Sequence, residues 1–358
     1  MNPLLKQLMG QASRLTLAGD LGAATAAIQE ALTQASSSPP RPDPGVIDVV
    51  AREVLPPADA QPTAKDATPN DAGRFLAGRH TDAIGARDYK LYVPPGHAGQ
   101  ALPLVVMLHG CTQDPDDFAA GTGMNEAARA QGFFVLYPAQ TQHANAQRCW
   151  NWFKHNHQKR DRGEPALIAN MTREVMHRHG IDPDRVYVAG LSAGGAMAAI
   201  VGAAYPDLFK AVGVHSGLPV GSATDISGAL MAMKNGAPQP AAKQAGAPPL
   251  IVFHGDRDST VHPANGEHLV AAHAGATTVE QEKMRSDTGR ASTRRVHRDA
   301  EGRVVAEHWV VHGAGHAWSG GRAQGSYTDA KGPDATQEML RFFKAHARRR
   351  VNAGGSAN

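Results

Sequence analysis

The chain has 358 residues, room for one large α/β domain or two medium ones, and 42% of them are apolar, enough to bury a substantial core. The 36 Lys and Arg stand against 33 Asp and Glu, a formal charge of only +3. The cations are scattered rather than massed, which excludes an electrostatic footprint for nucleic acid. No stretch reaches the roughly 18 consecutive apolar residues of a transmembrane helix.

The first twenty residues, "MNPLLKQLMGQASRLTLAGD", lack a basic head followed by an unbroken apolar core, so they do not read as a secretory signal. A cytoplasmic location is expected on that basis. Leu4, Leu5, Leu8, Met9 and Leu15 recur at amphipathic-helix spacing, and with "LGAATAAIQEALTQA" they predict a helical hairpin over residues 1–35. Residues 36–73 are dominated by Pro, Ala, Asp and Ser, with "VIDVVAREVL" as one apolar island, and read as a linker. Globular character is expected from 74 to 350, followed by a disordered tail over 351–358.

Within the globular part, "DYKLYVPP" alternates before a proline stop, and "LPLVVMLHG", "GFFVLYPA", "RVYVAG", "AVGVHSG" and "PPLIVFHGD" are short apolar runs. Such uninterrupted runs suit strands covered on both faces, as in a parallel sheet. Helical stretches lie between them: "DDFAAGTGMNEAARAQ", "PALIANMTREVMHRHG" and the segment opening at Ala193. Gly217 to Pro249, rich in Gly, Ala and Pro, reads as an insertion or lid. "EHWVVHG" is the expected last strand and "DATQEMLRFFKAHARRR" the last helix, its basic end suited to the helix dipole. The alternation predicts a mostly parallel, doubly wound sheet with its active groups in loops at the carboxyl ends of the strands.

One turn carries chemistry. "RVYVAG" becomes an Ala-rich helix across Gly190-Leu191-Ser192-Ala193-Gly194. A strand-turn-helix elbow of this kind presents a serine in strained backbone, and small residues two positions to either side let strand and helix cross closely. The Ala193 amide at the new helix N-terminus can donate to an oxyanion. A serine is a poor nucleophile without a base to take its proton, and the hydrolase order is serine, acid, histidine. The loop after "PPLIVFH" offers Asp256 and Asp258, between which the residues themselves do not choose. His308, His312 and His316 follow; His316 stands past the strand in a Gly-flanked loop, where a base belongs, whereas His308 and His312 read as packing or edge residues. A second oxyanion donor is expected from the loop after "VVML", where His109-Gly110 precede the Cys111 amide. Cys111 has no elbow around it and is a poor candidate nucleophile. Two cysteines, Cys111 and Cys149, are too few for a disulfide scaffold, though one bridge is open to them. His155 and His157 read as polar loop residues rather than metal ligands, and neither a metal nor an organic cofactor is expected.

These motifs together resemble the polyhydroxybutyrate depolymerase-like esterases, which include feruloyl and acetylxylan esterase relatives. The likeness runs from about Arg87 to Gly321 through "YKLYVPPG", "LVVMLHGCTQDPDDFAAGTGMN", "CWNWF", "DRVYVAGLSAGGAMA", "IVFHGDRDSTV" and "GAGHAWSGG". It implies an α/β-hydrolase fold with Ser192 as nucleophile, Asp258 as acid and His316 as base. It also implies an oxyanion hole from the Cys111 and Ala193 amides, and a Cys111–Cys149 bridge. Trp150, Trp152 and Trp318 are the candidate substrate contacts. The expected reaction is two-step acyl transfer on an ester, foremost poly(3-hydroxybutyrate) or hydroxyalkanoate oligomers, with feruloyl or acetylxylan ester cleavage as the alternative. A non-catalytic granule- or partner-binding role stands as the reading from another class. Extracellular members carry a signal peptide and a substrate-binding domain after the catalytic one, so an extracellular location is the alternative by analogy. The natural ester and the oligomeric state are left open.

Overall fold

The computed structural model describes residues 72–238, 246–272, 277–285 and 289–347. The expected hairpin over 1–35, almost all of the linker and the tail over 351–358 lie outside the described residues.

Strands β1 (Arg74–Thr81), β2 (Ala86–Val93), β3 (Leu104–Leu108), β4 (Phe134–Pro138), β5 (Val186–Leu191), β6 (Ala211–His215) and β7 (Leu250–Gly255) come first. Strands β8 (Thr278–Arg285), β9 (Ala291–Arg298) and β10 (Val304–Val311) follow, and these ten form one sheet in the order β1-β2-β4-β3-β5-β6-β7-β10-β9-β8. The central six, from β4 to β10, pair in parallel, and the two strands at each side pair antiparallel. A short pair, β11 (Trp318–Ser319) and β12 (Thr328–Asp329), stands apart.

The apolar runs are strands because both faces of the sheet are covered. Along β3, Leu104, Val106 and Leu108 enter one core while Val105 and Met107 enter the other; along β5, Val186 and Val188 oppose Tyr187 and Ala189. Helices α3 (Gly163–His179) and α4 (Ala193–Ala204) fill the first core with Ile168, Met171, Met197 and Ile200. Helices α2 (Met124–Gln131) and α7 (Ala335–Ala345) fill the second with Ala127, Ala128, Met339 and Phe343.

Two differences from the sequence reading have plain causes. The single helix expected over "DDFAAGTGMNEAARAQ" is two, α1 (Pro115–Thr122) and α2, because Gly123 takes a left-handed φ of 64° between them. The lid segment contains α5 (Ile226–Asn235), started by Asp225 accepting from the Gly228 amide, and joins α6 (Ala264–Ala271) through Asn265, whose side chain donates to the Ala232 carbonyl. No helix among the described residues is long and apolar enough to cross a membrane.

Candidate active site

Ser192 ends β5 at φ 58°, ψ −120°, a left-handed backbone that a side chain rarely adopts. The glycines on either side explain how the turn fits. A Cβ on Gly194 would stand 2.0 Å from the Leu108 carbonyl oxygen, and one on Gly190 2.3 Å from that of Gly194. The Ser192 amide donates to the His215 carbonyl of β6 at 2.9 Å, which pins the elbow to the sheet. Ser192 itself is 9% exposed.

The loops after β7 and β10 sort the two aspartates and two of the histidines into separate pairs. Asp258 Oδ2 accepts from His316 Nδ1 at 2.7 Å, with the carboxylate fully buried and the imidazole 11% exposed. Asp256 Oδ2 accepts from His312 Nδ1 at 2.8 Å, but this pair lies at the surface, with side chains 37% and 43% exposed. His312 Nε2 is engaged by Thr293 Oγ1. His308 is buried on β10, and desolvation pushes its pKa down to about 3. The buried pair is therefore distinguished from the surface pair by geometry, not by spacing.

Asp258 is held as a carboxylate. Burial alone would raise its pKa, but the nearby His254 imidazole and hydrogen bonds from His316 and the Val261 amide outweigh it and hold the group far below the usual carboxylate range. The Thr260 and Val261 amides both reach Oδ1 at 2.9 Å.

His215 connects the elbow to the histidine loop. Its carbonyl holds Ser192, while its Nε2 accepts from the Ser319 amide at 2.9 Å, three residues past His316. Accepting at Nε2 leaves the proton on Nδ1, toward Ser216 Oγ, and burial drives its pKa down to about 3. Neither the Ser192 hydroxyl nor His316 Nε2 has a hydrogen-bond partner among the described residues.

The loop after β3 lies against the elbow, since a Cβ on Gly110 would come 3.7 Å from Ser192 Cβ. Gln113 Oε1 takes the Gly110 amide at 2.9 Å, whereas the Cys111 and Ala193 amides have no partner among the described residues. Cys111 is bonded to Cys149, with sulfurs 2.03 Å apart, and the neighbouring Thr112 amide donates to the Gln147 carbonyl. The buried Glu164 fixes the other side of this bridge by accepting from Gln140 Nε2 and from both the amide and Nδ2 of Asn151. His157 turns its ring to within 3.4 Å of the same carboxylate.

Trp150, Trp152 and Trp318, the candidate substrate contacts, are buried: they are 0%, 4% and 1% exposed. Broad apolar rings gain more from close packing than from facing water. Trp150 packs against His109, and Trp318 stacks on His215, meets Phe118 edge-on and donates to Thr336 Oγ1. In this packing they support the loops. His215, His254 and Glu164 escaped the sequence reading: His215 and Glu164 work through partners remote in the chain, and His254, whose partners lie within seven residues, sits in an otherwise apolar strand. The sole local sign was two histidines and a glutamate inside runs otherwise readable as strand and helix. Among the described residues no group of three or more His, Cys, Asp or Glu is arranged to hold a metal ion.

A family model described as esterase PHB depolymerase matches residues 87–279, more than half of the chain. The chain belongs to this family. Among the relatives of this family member, a poly(3-hydroxyalkanoate) depolymerase C of Paucimonas lemoignei is 34% identical over 63% of this chain and 57% of its own length. An acetylxylan esterase A of Emericella nidulans is 28% identical over 49% of this chain and 63% of its own. A feruloyl esterase B of Thermothelomyces thermophilus is 28% identical over 50% and 66%. The chain thus spans less than two thirds of the length of these relatives. Among solved structures, an acetyl xylan esterase from Aspergillus awamori superposes with a TM-score of 0.59 at 19% identity, covering 75% of this chain and 99% of the other. An S-formylglutathione hydrolase from Agrobacterium tumefaciens gives 0.53 at 14% identity, over 78% and 98%. Both likenesses are of fold: the α/β-hydrolase sheet.

Proposed function

We propose that the protein is a serine carboxylic-ester hydrolase in which Ser192 is the nucleophile, His316 the general base and Asp258 its orienting acid. The observation that carries this reading is the buried 2.7 Å hydrogen bond between Asp258 and His316, which leaves Nε2 as the base nitrogen. His316 takes the proton of Ser192 as the hydroxyl attacks the ester carbonyl. The Cys111 and Ala193 amides then donate to the developing oxyanion. His316 next protonates the leaving alkoxide, and water repeats the cycle on the acyl-enzyme. Asp258 remains ionised throughout and stabilises the imidazolium.

The substrate class proposed is a hydroxyalkanoate ester, as oligomer or polymer, supported by the 34% identity to the Paucimonas depolymerase. The second reading, an acetylated or feruloylated carbohydrate ester, draws on the 28% identity to the acetylxylan and feruloyl esterases. Product analysis on hydroxybutyrate oligomers, amorphous polymer, acetylxylan and feruloylated xylan separates them. Ser192→Ala should abolish turnover on every ester that the wild type cleaves, a loss of several orders of magnitude. A folded alanine variant keeping about a tenth of the rate would remove the nucleophile assignment.

A further inference from the structure

Behind Asp258 lies a second imidazole that takes no part in the acyl-transfer steps. His254, on β7, is 1% exposed. Its Nε2 lies 2.9 Å from the Val261 carbonyl oxygen and 3.5 Å from Asp258 Oδ2, the oxygen that also accepts from His316. Hydrogen bonding to a carbonyl oxygen requires the proton on Nε2, because that oxygen can only accept.

The opposite nitrogen has different surroundings. His254 Nδ1 is buried without a partner among the described residues, as is Nε2 of His308 on the neighbouring strand β10. Both face Gly266 of α6, where a Cβ would stand 2.9 Å from the one and 3.0 Å from the other. An Nδ1–H pointed into this space would be a buried donor with nothing to receive it, a costly arrangement. His254 is thereby fixed as the neutral Nε2–H form. The titratable groups around it are Asp258 from the following loop, His308 from β10 and His215 from β6.

We infer that His254 is a positioning residue that holds the Asp258 carboxylate in place for His316. This rests on the reading of Asp258 and His316 as catalytic partners. It acts through the loop: Nε2–H holds the Val261 carbonyl, and the Val261 amide donates to Asp258 Oδ1 at 2.9 Å, while Nε2 itself stands 3.5 Å from Asp258 Oδ2, an electrostatic contact. A neutral donor is well matched to this role, because it restricts the carboxylate plane without cancelling the negative charge that the imidazolium of His316 needs.

The test compares His254→Gln with His254→Asn. Glutamine can put an amide donor where Nε2 stands; asparagine reaches only to the position of Nδ1. The Asn variant should lose about tenfold or more in kcat with KM within about twofold, as expected when a reacting group is slightly misplaced while substrate binding stays intact. The Gln variant should recover to within about threefold of wild type. Histidine 15N shifts in the wild-type protein, which require no variant to fold, should show His254 as the neutral Nε2–H tautomer. Equal kcat in the two variants, or an Nδ1–H tautomer for His254, overturns the inference. Ser192→Ala runs alongside: activity there would remove the triad reading itself, whereas an inactive Ser192→Ala with equal Gln and Asn variants removes only the role of His254.

Discussion

Lowering the pH from 7 to 5 should destabilise the fold sharply, because three buried imidazoles are held neutral. Burial pushes His109 down to about 4, and His215 and His308 down to about 3. An unfolded histidine titrates near about 6.5. Well above that pH neither state binds the proton, and the three contribute nothing to pH dependence. Below it the unfolded chain takes up three protons that the folded chain refuses until roughly pH 4, so stability falls as pH falls. The limiting slope is about 1.4 kcal/mol per pH unit for each imidazole, about 4 for the three. Integrated from pH 7 to 5, the loss is at most about 6 kcal/mol, a large part of the roughly 5–15 kcal/mol of a typical domain. His179 and His297, also lowered chiefly by desolvation, act in the same direction. Asp258 and Glu164 are held below their ordinary values, so their stabilisation is lost only at lower pH and leaves this window to the histidines. Urea unfolding at pH 7, 6 and 5 measures the slope, and His308→Gln should remove about a third of the contribution of these three groups. Stability unchanged between pH 7 and 5 would refute the reasoning.

The two aspartate–histidine pairs should differ in kind. Asp258→Asn and His316→Ala should each cost several orders of magnitude in kcat, while Asp256→Asn and His312→Ala should leave it within about threefold, since exposed pairs contribute little; steady-state kinetics on p-nitrophenyl butyrate decides, and a larger defect in the Asp256 or His312 variant would reverse the assignment. Replacing Cys111 and Cys149 together by alanine opens a bridge between residues 38 apart in the chain. The expected loss is about 3–4 kcal/mol by the chain-entropy model, read from urea unfolding. Gly194→Ala drives a Cβ to 2.0 Å from the Leu108 carbonyl oxygen and 2.5 Å from that of His109. It should cost about 1–3 kcal/mol in stability, with esterase activity falling as the elbow shifts.

What could be read from the sequence follows the physical signal each element carries. The central strands were legible because burial on both faces demands continuous apolar runs. Strands β1, β8 and β9 were not: "TVEQEKMR" is exposed along nearly its whole length, and charged strands at or next to the margin of the sheet do not resemble strands buried on both faces. The elbow at Ser192 was legible because it is local, with both glycines within two residues. The choice between Asp256 and Asp258 was not, since it depends on which histidine, 56 or 58 residues later, meets which carboxylate. The burial of the three tryptophans was not legible either, because their residue type fits a ligand surface and a packed core equally well.

Three carboxylates brace the loops around Ser192, each by accepting from several donors at once. Asp258 holds His316, gripped by the Thr260 and Val261 amides. Asp117 accepts from the amide and hydroxyl of Ser326 and from Gln113 Nε2, and Gln113 in turn receives the Gly110 amide. The segment following His316 is thereby fastened to the loop that carries Cys111. Glu164 holds Gln140 and Asn151, next to the cysteine bonded to Cys111. Hydrogen bonds to an ionised acceptor are about twice as strong as neutral ones, so a carboxylate at each junction fixes a loop with few residues. An oxyanion hole built of backbone amides needs this rigidity, because amides stabilise a developing charge only when they need not reorganise to meet it. In the proposed mechanism, the acid that orients the base and the acids that steady the amides thus do the same physical work.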